Sequence, residues 1–446
     1  MKKSIILFST VIIIVAGCSK KLDILPTQSI DETQVFTSDA NIKAALNGAY
    51  DAASSTSLLG GDLQLYSELL GADDEIAWVG TYNQPDEVYS KAILTNNSYV
   101  RATWAAAYNT INICNNILKA IDIVDEADRD RVKGEALFLR GEMYFELVKL
   151  FGKPYSAGSV TSNLGVQIVT TPTIGDISEA NRVPRSTIEQ TYNLILDDLN
   201  QAKTLLPEEN DVYATTYTAS AILSRVYLQM ADYTKARDEA NTVIKSGEYI
   251  LTDTYDKAFN NTSNSSEDIL AMQVTAQDDQ NDMHLFWSIG DFGARDGDVE
   301  ILDKHLSLYG ATDDRLALFY DNGTIYSGKW LLQYRNIPIL RLAEMYLTRA
   351  ECNFRLGTNI GATPAEDIND VIRDRVGQAA IPVTLDNILL ERRLELAHEG
   401  QRIHDVKRLK GSVDGFAYDA NKLVFPIPIR EINAVGPDIL KQNDGY

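Results

Sequence analysis

At 446 residues, 45 % hydrophobic and 23 % charged, the chain has the composition of a folded protein with a sizeable core, which excludes wholesale disorder. Its 63 Asp+Glu against 41 Lys+Arg give a net charge of −22, a balance that argues against nucleic acid as a partner. Tyr outnumbers Phe, 22 to 12, and a flat ring with a hydroxyl suits polar ligands as well as the cores of helical repeats.

In chain order, Lys2 and Lys3 precede an apolar run, Ile5 to Val15, that is too short to span a bilayer. The run ends Val15-Ala16-Gly17-Cys18, which resembles a bacterial lipobox. Residues 1–17 are then expected to be a lipoprotein signal peptide, with Cys18 the lipidated first residue of the mature chain. No later apolar run is long enough to cross a membrane as a helix. Cys114 and Cys352 each fall within a helical pattern and are expected to be buried thiols. The 4 His form no HxxxH or HExxH pair, so no zinc site is read.

The body reads as helices. Asn97 to Asp122 carries Trp104, Tyr108, Ile111 and Leu118 at helical spacing, and Arg131 to Phe151 follows, stopping at Gly152-Lys153-Pro154. Thr187 to Leu206 is a third, closed by Pro207. Tyr217 to Ser246, broken near Ala231-Asp232, resembles a tetratricopeptide repeat. Counting from Tyr227, it places Ala231, Tyr233, Ala236, Ala240 and Val243 where two antiparallel helices approach closely. Ile337 to Leu356 with Pro364 to Val376 is a looser second pair. Such pairs are scaffold, so the ligand chemistry is expected elsewhere.

Gly71 to Asn97 and Thr252 to Lys329 lack sustained period and are rich in Asp, Asn, Ser, Thr and Gly. Each holds a tryptophan among polar neighbours. Trp78 lies near Asp73, Tyr82 and Asn83; Trp287 lies near Phe292 and Arg295. Sugar rings stack their C–H faces on aromatic planes while polar side chains bind the hydroxyls, so these seven residues are the candidate ligand site. The competing reading is that each Trp caps a small core beneath its loop.

Several segments in order resemble the SusD/RagB family of nutrient-binding outer-membrane lipoproteins. They are Leu22-Asp23-Ile24-Leu25-Pro26; Leu139-Arg140-Gly141-Glu142-Met143-Tyr144-Phe145; Arg341-Leu342-Ala343-Glu344-Met345-Tyr346; Glu391-Arg392-Arg393-Leu394-Glu395-Leu396-Ala397-His398-Glu399-Gly400; and the tail from Phe425-Pro426-Ile427-Pro428 to Tyr446. The resemblance implies a mainly α fold: a helical scaffold with tetratricopeptide-like pairs and a loop-rich ligand side with a few short strands. It implies a single domain over 18–446, with an N-terminal part of about 22–210 and a C-terminal part of about 211–446 intertwined. It implies capture of a glycan, delivered to a SusC-like TonB-dependent transporter, by a protein anchored in the outer membrane and facing the exterior. The site residues vary within the family, so the seven above are read from local composition. Ser19-Lys20-Lys21 departs from the acidic run often associated with surface export, which leaves the leaflet open.

The charged segments invite an enzymatic reading, but Glu391, Arg392, Arg393, Glu395 and Glu399 recur at spacings that brace a helix and pair with its neighbours. No carboxylate pair stands out as acid and base, so no catalytic residue is assigned. Asp291 to Asp298 lacks the ligand spacing of a calcium loop, and no cofactor is assigned. Two alternatives stay open: the same importer role for peptides or glycopeptides, and a glycoside hydrolase on a helical scaffold.

Overall fold

Helix Ser98–Lys119 starts where the Asn97 side chain accepts from the backbone N–H groups of Tyr99 and Val100, at 3.0 and 3.1 Å. Its buried face, Val100, Trp104, Ala107, Ile111 and Cys114, packs on helix Glu126–Phe151. From Gly134 onward every residue of that second helix is buried, so it is the central rod of the N-terminal half. Helix Ile188–Leu205 covers its other side, opened by a capping box between Thr187 and Gln190. Gly141 lets the two approach: a Cβ there would lie 3.1 Å from Leu199 Cγ. Beside it, Arg140 bridges to Asp198 through two 2.7 Å hydrogen bonds.

The structure, a computed structural model, describes residues 36–173, 182–277 and 281–446. Cys18, the signal segment and Leu22–Pro26 lie outside the described residues. Among the described residues, no helix is long and apolar enough to cross a membrane.

The tetratricopeptide-like pair is helix Thr216–Gln229 followed by helix Tyr233–Ser246. Ala231 turns the chain at φ 60°, and Asp232 caps the second helix by accepting from Lys235 N at 3.2 Å. Ala236, Ala240 and Val243 are buried against the first helix, as their spacing predicts. Helix Leu342–Leu356 packs on the same pair. Its predicted start at Ile337 is wrong: Ile337–Arg341 is a strand, antiparallel to Asp268–Met272 with Met272 opposite Ile337. Pro338 has no N–H to give a helix and biases Ile337 toward extended backbone. The second member of that looser pair, Glu366–Arg373, winds as a π-helix.

The charged signatures are interior cross-links between elements. Arg341 is 1 % exposed and pairs with Glu267, Glu395 and Glu399. Arg408 grips Glu351 at 2.7 and 2.8 Å, and Arg392 pairs with Glu344 and Asp405. Cys114 and Cys352 are free and buried, and burial pushes both thiols up to about 12.

Helix Leu385–Glu395 stops short of the whole charged segment. The chain turns through His398 (φ 63°) and Gly400 (φ 80°), and Glu68 accepts from the N–H groups of Gly400 and Gln401 at 2.8 and 3.2 Å. A Cβ on Gly400 would lie 2.7 Å from Gln64 Cα, which is backbone and cannot yield cheaply. Gly400→Ala is therefore expected to lower stability by about 2 kcal/mol, read as a shift in urea midpoint at unchanged slope. An unchanged midpoint would show that this turn relaxes freely.

Candidate ligand-binding site

Two loop regions meet through a short ladder. Ile76–Trp78 runs antiparallel to Val299–Ile301, with Trp78 opposite Val299 and Ile76 opposite Ile301. Val79 N extends the pairing to Asp298 O at 2.9 Å. Alternation along the strand sends Ile76 and Trp78 inward, so Trp78 is only 6 % exposed and packs edge-on to Phe286 at 5.7 Å.

Trp287 is more deeply placed. It ends helix Asp282–Trp287, where Met283, Phe286 and Trp287 all face the core, and its ring is fully buried against His398, 4.8 Å between centroids. A ring so enclosed offers no face to a ligand. The structure corrects that assignment: Trp287 and Trp78 are packing residues beneath the loops, the competing reading for each.

The residues that reach the surface lie above them. Tyr82 is 38 % exposed, with Phe286 and Tyr99 edge-on to its ring at 6.1 and 6.4 Å. The Arg295 guanidinium sits 3.9 Å from the Tyr82 centroid. It is clamped there: Nε donates to Asp298 at 2.5 Å, and Nη2 donates to Thr81 Oγ1 at 2.9 Å. Asn83, the first residue of helix Asn83–Tyr89, is exposed beside Tyr82. Phe292, at the end of the turn Gly290–Phe292, is 41 % exposed and edge-on to Tyr320 at 5.7 Å. Of the seven predicted residues, Tyr82, Asn83 and Arg295 thus come together on one polar-edged surface, and Phe292 is exposed nearby in sequence, against Tyr320.

Asp73 is elsewhere. Its carboxylate bridges Lys304 at 3.0 Å and accepts from Asp414 N at 3.0 Å, so it serves as a tie between loops. Tyr99 and Asp298 were not singled out in the sequence. Tyr99 sits in the first turn of a long helix, whose period assigns it to packing. Asp298 becomes meaningful only once the ladder sets it beside Arg295. Burial, followed by the nearby Asp62 and Asp282 carboxylates, pushes the Tyr99 phenol up to about 12, so it remains protonated at neutral pH. Among the described residues, no group of three or more His, Cys, Asp or Glu could hold a metal ion.

Two family models match the chain. One, described as starch-binding associating with outer membrane, covers residues 20–228, and the SusD family model covers 197–423. A SusD-like protein of Formosa agariphila, P2, is 25 % identical with all of both chains covered. A SusD superfamily protein of Bacteroides thetaiotaomicron aligns at TM-score 0.78 and 26 % identity over 91 % of this chain and 99 % of its own. Another, of Bacteroides vulgatus, aligns at 0.82 and 24 % over 92 % and 99 %. With helix pairs, ladder and loop-borne surface all in place, the chain belongs to the SusD family, a family of carbohydrate-binding proteins associated with the outer membrane.

Proposed function

We propose that the protein is a non-catalytic glycan receptor, lipid-anchored through Cys18 in the outer membrane. It captures polysaccharide or oligosaccharide at the cell exterior and delivers it to a SusC-like TonB-dependent transporter. The observation that carries the glycan reading is the exposed Tyr82 ring, fixed from three sides by Phe286, Tyr99 and the clamped Arg295. A rigid amphipathic ring with a cation stacked over one face and an amide beside it suits a sugar: the exposed part of the ring takes C–H groups, while Arg295 and Asn83 take hydroxyls. Phe292 offers a second exposed ring. Family membership supports the same reading.

Affinity electrophoresis tests it. The full chain in detergent is run through gels containing starch, fructan, xylan, mannan, pectin or host glycan. One glycan class is expected to retard it, with no reducing sugar released. Tyr82→Ala is expected to weaken that retention at least about fivefold, since ring stacking contributes on the order of 1 kcal/mol. Retention unchanged in Tyr82→Ala would overturn the placement of the site. Absence of retention in every gel would overturn the glycan reading and favour a peptide ligand. Release of reducing sugar would overturn the non-catalytic one.

A further inference from the structure

A cavity of about 270 Å³ opens between helix Leu385–Glu395, helix Arg402–Arg408 and the chain that leaves helix Asp62–Leu70. Most of its lining is apolar, with Ala72, Ile76, Leu389, Leu390, Leu396 and Leu409 contributing. One wall is cationic. Arg393 Nε and Arg402 Nη2 each donate to the Glu75 carboxylate at 3.0 Å, and Arg393 Nη2 contacts it as well. The third partner of Glu75 is His305, whose Nδ1 lies 3.0 Å away. Burial, then Lys329 and Arg402, push that imidazole down to about 3, so it is neutral and adds no charge. Two guanidiniums therefore share one carboxylate.

The remaining charges do not redress this. Arg392 and Arg408 are matched by Glu344, Glu351 and Asp405. Glu68 is pushed up to about 7 by burial, although backbone N–H groups and Arg402 pull the other way. Asp386 stands exposed among the lining residues, in the first turn of its helix. Burial, then Arg402, bring Arg393 down to about 10, while Asp73, itself paired with Lys304, and Glu68 pull the other way. Among the described residues, Arg393 Nη1 and Arg402 Nε make no hydrogen bond. In a chain of net charge −22, an under-compensated arginine pair beside an apolar cavity selects for a particular chemistry.

We propose that this cavity is a second binding site, separate from the Tyr82 surface, for a small ligand that carries a carboxylate on an apolar body. The carboxylate lies against Arg393 and Arg402, and the alkyl or aryl group rests on the leucine wall. A free branched-chain or aryl acid has this chemistry, and so does a peptide ending in an apolar residue.

Calorimetric titration of the full chain in detergent distinguishes the cases. The probes are 3-methylbutanoate, phenylacetate and N-acetylleucine, each against its neutral amide, with galacturonate as a polar acid. At least one apolar acid is expected to bind, with its amide weaker by roughly tenfold or more, the effect of losing a charged hydrogen bond. Arg393→Gln is expected to weaken the acid by a similar factor while Arg402 still neutralises Glu75, and Leu390→Glu to abolish binding. Preference for N-acetylleucine assigns the site to peptide termini, and preference for 3-methylbutanoate assigns it to free acids. The proposal is overturned if no apolar acid binds, if amides bind as well as acids, if galacturonate binds as tightly, or if both variants bind normally. Glycan retention is expected to be unchanged in both variants, so failure here is distinguishable from failure at Tyr82.

Discussion

Arg341→Met is expected to destabilise the chain by about 3–5 kcal/mol, the range for removing one partner of a buried charge network. Arg341 Nη1 donates to Glu267 at 3.3 Å and Glu395 at 3.1 Å. Its Nε and Nη2 donate to Glu399, both at 2.8 Å. Arg375 also reaches Glu267 and Glu395, and Lys329 reaches Glu399. Without Arg341, the carboxylates Glu267, Glu395 and Glu399 face Arg375 and Lys329, with Arg315 3.8 Å from Glu395 but shared with Asp313 and Glu391. At least one buried negative charge is left uncompensated, and that imbalance dominates the loss. Arg341→Lys is expected to recover only part of it, because one ammonium cannot span donors aimed at three acids.

The same network predicts an acid limb. Burial would raise Glu395, but Arg375, Arg341 and Arg315 override it and hold the carboxyl at about 2. A carboxyl depressed in the folded state adds stability above its ordinary value of 4.5, and that stability drains as pH falls toward about 2. Urea unfolding at several pH values should show the parent losing stability below about pH 5, and Arg341→Met losing less there. A variant within about 1 kcal/mol of the parent at neutral pH would mean that Arg341 contributes packing alone.

Much of this architecture is legible locally. The Thr187–Gln190 capping box, the Asn97 cap and the small residues at Ala236, Ala240 and Val243 act within a few residues of themselves, so sequence spacing reports them. The strand at Ile337–Arg341 was obscured because its apolar run continues smoothly into helix Leu342–Leu356; only Pro338 hinted at the break. The surface exposure of the candidate site was half legible. Tyr82, Asn83, Phe292 and Arg295 came from local composition and reach or approach the surface. Whether Trp78 points in or out depends on its pairing with Val299, more than two hundred positions away, which no local pattern encodes. Trp287 did carry a warning: Met283, Phe286 and Trp287 stand at i, i+3 and i+4, the spacing of a buried helix face. The Glu75–Arg393–Arg402 wall joins segments more than three hundred residues apart, and charge alone does not reveal such a meeting.

Glu142→Gln is expected to flatten the decline in stability between about pH 5 and pH 8 by on the order of 3 kcal/mol. Glu142 is fully buried at the centre of helix Glu126–Phe151, and neither carboxylate oxygen has a hydrogen-bond partner. Burial pushes its carboxyl up to about 7 and Glu146 adds to the rise, while Lys149 and Arg225 oppose it and Glu344 reinforces it. An acid raised in the folded state supports folding fully below its ordinary value of 4.5, and that support is lost as pH rises through about 7. A rise from 4.5 to about 7, at about 1.4 kcal/mol per unit, gives the expected size. Asp268 and Glu68 are also pushed up to about 7, chiefly by burial, so both proteins should weaken toward neutral pH. The difference between them isolates Glu142, because glutamine keeps the shape and removes the proton. Urea unfolding of both at about pH 5 and pH 8 reads that difference directly. Parallel curves would place water on the carboxylate and return its pKa to the ordinary range. Diverging curves would identify a helix whose central acid is neutral when folded, and Glu142 as one of the buried acids that shift the stability of this scaffold toward lower pH.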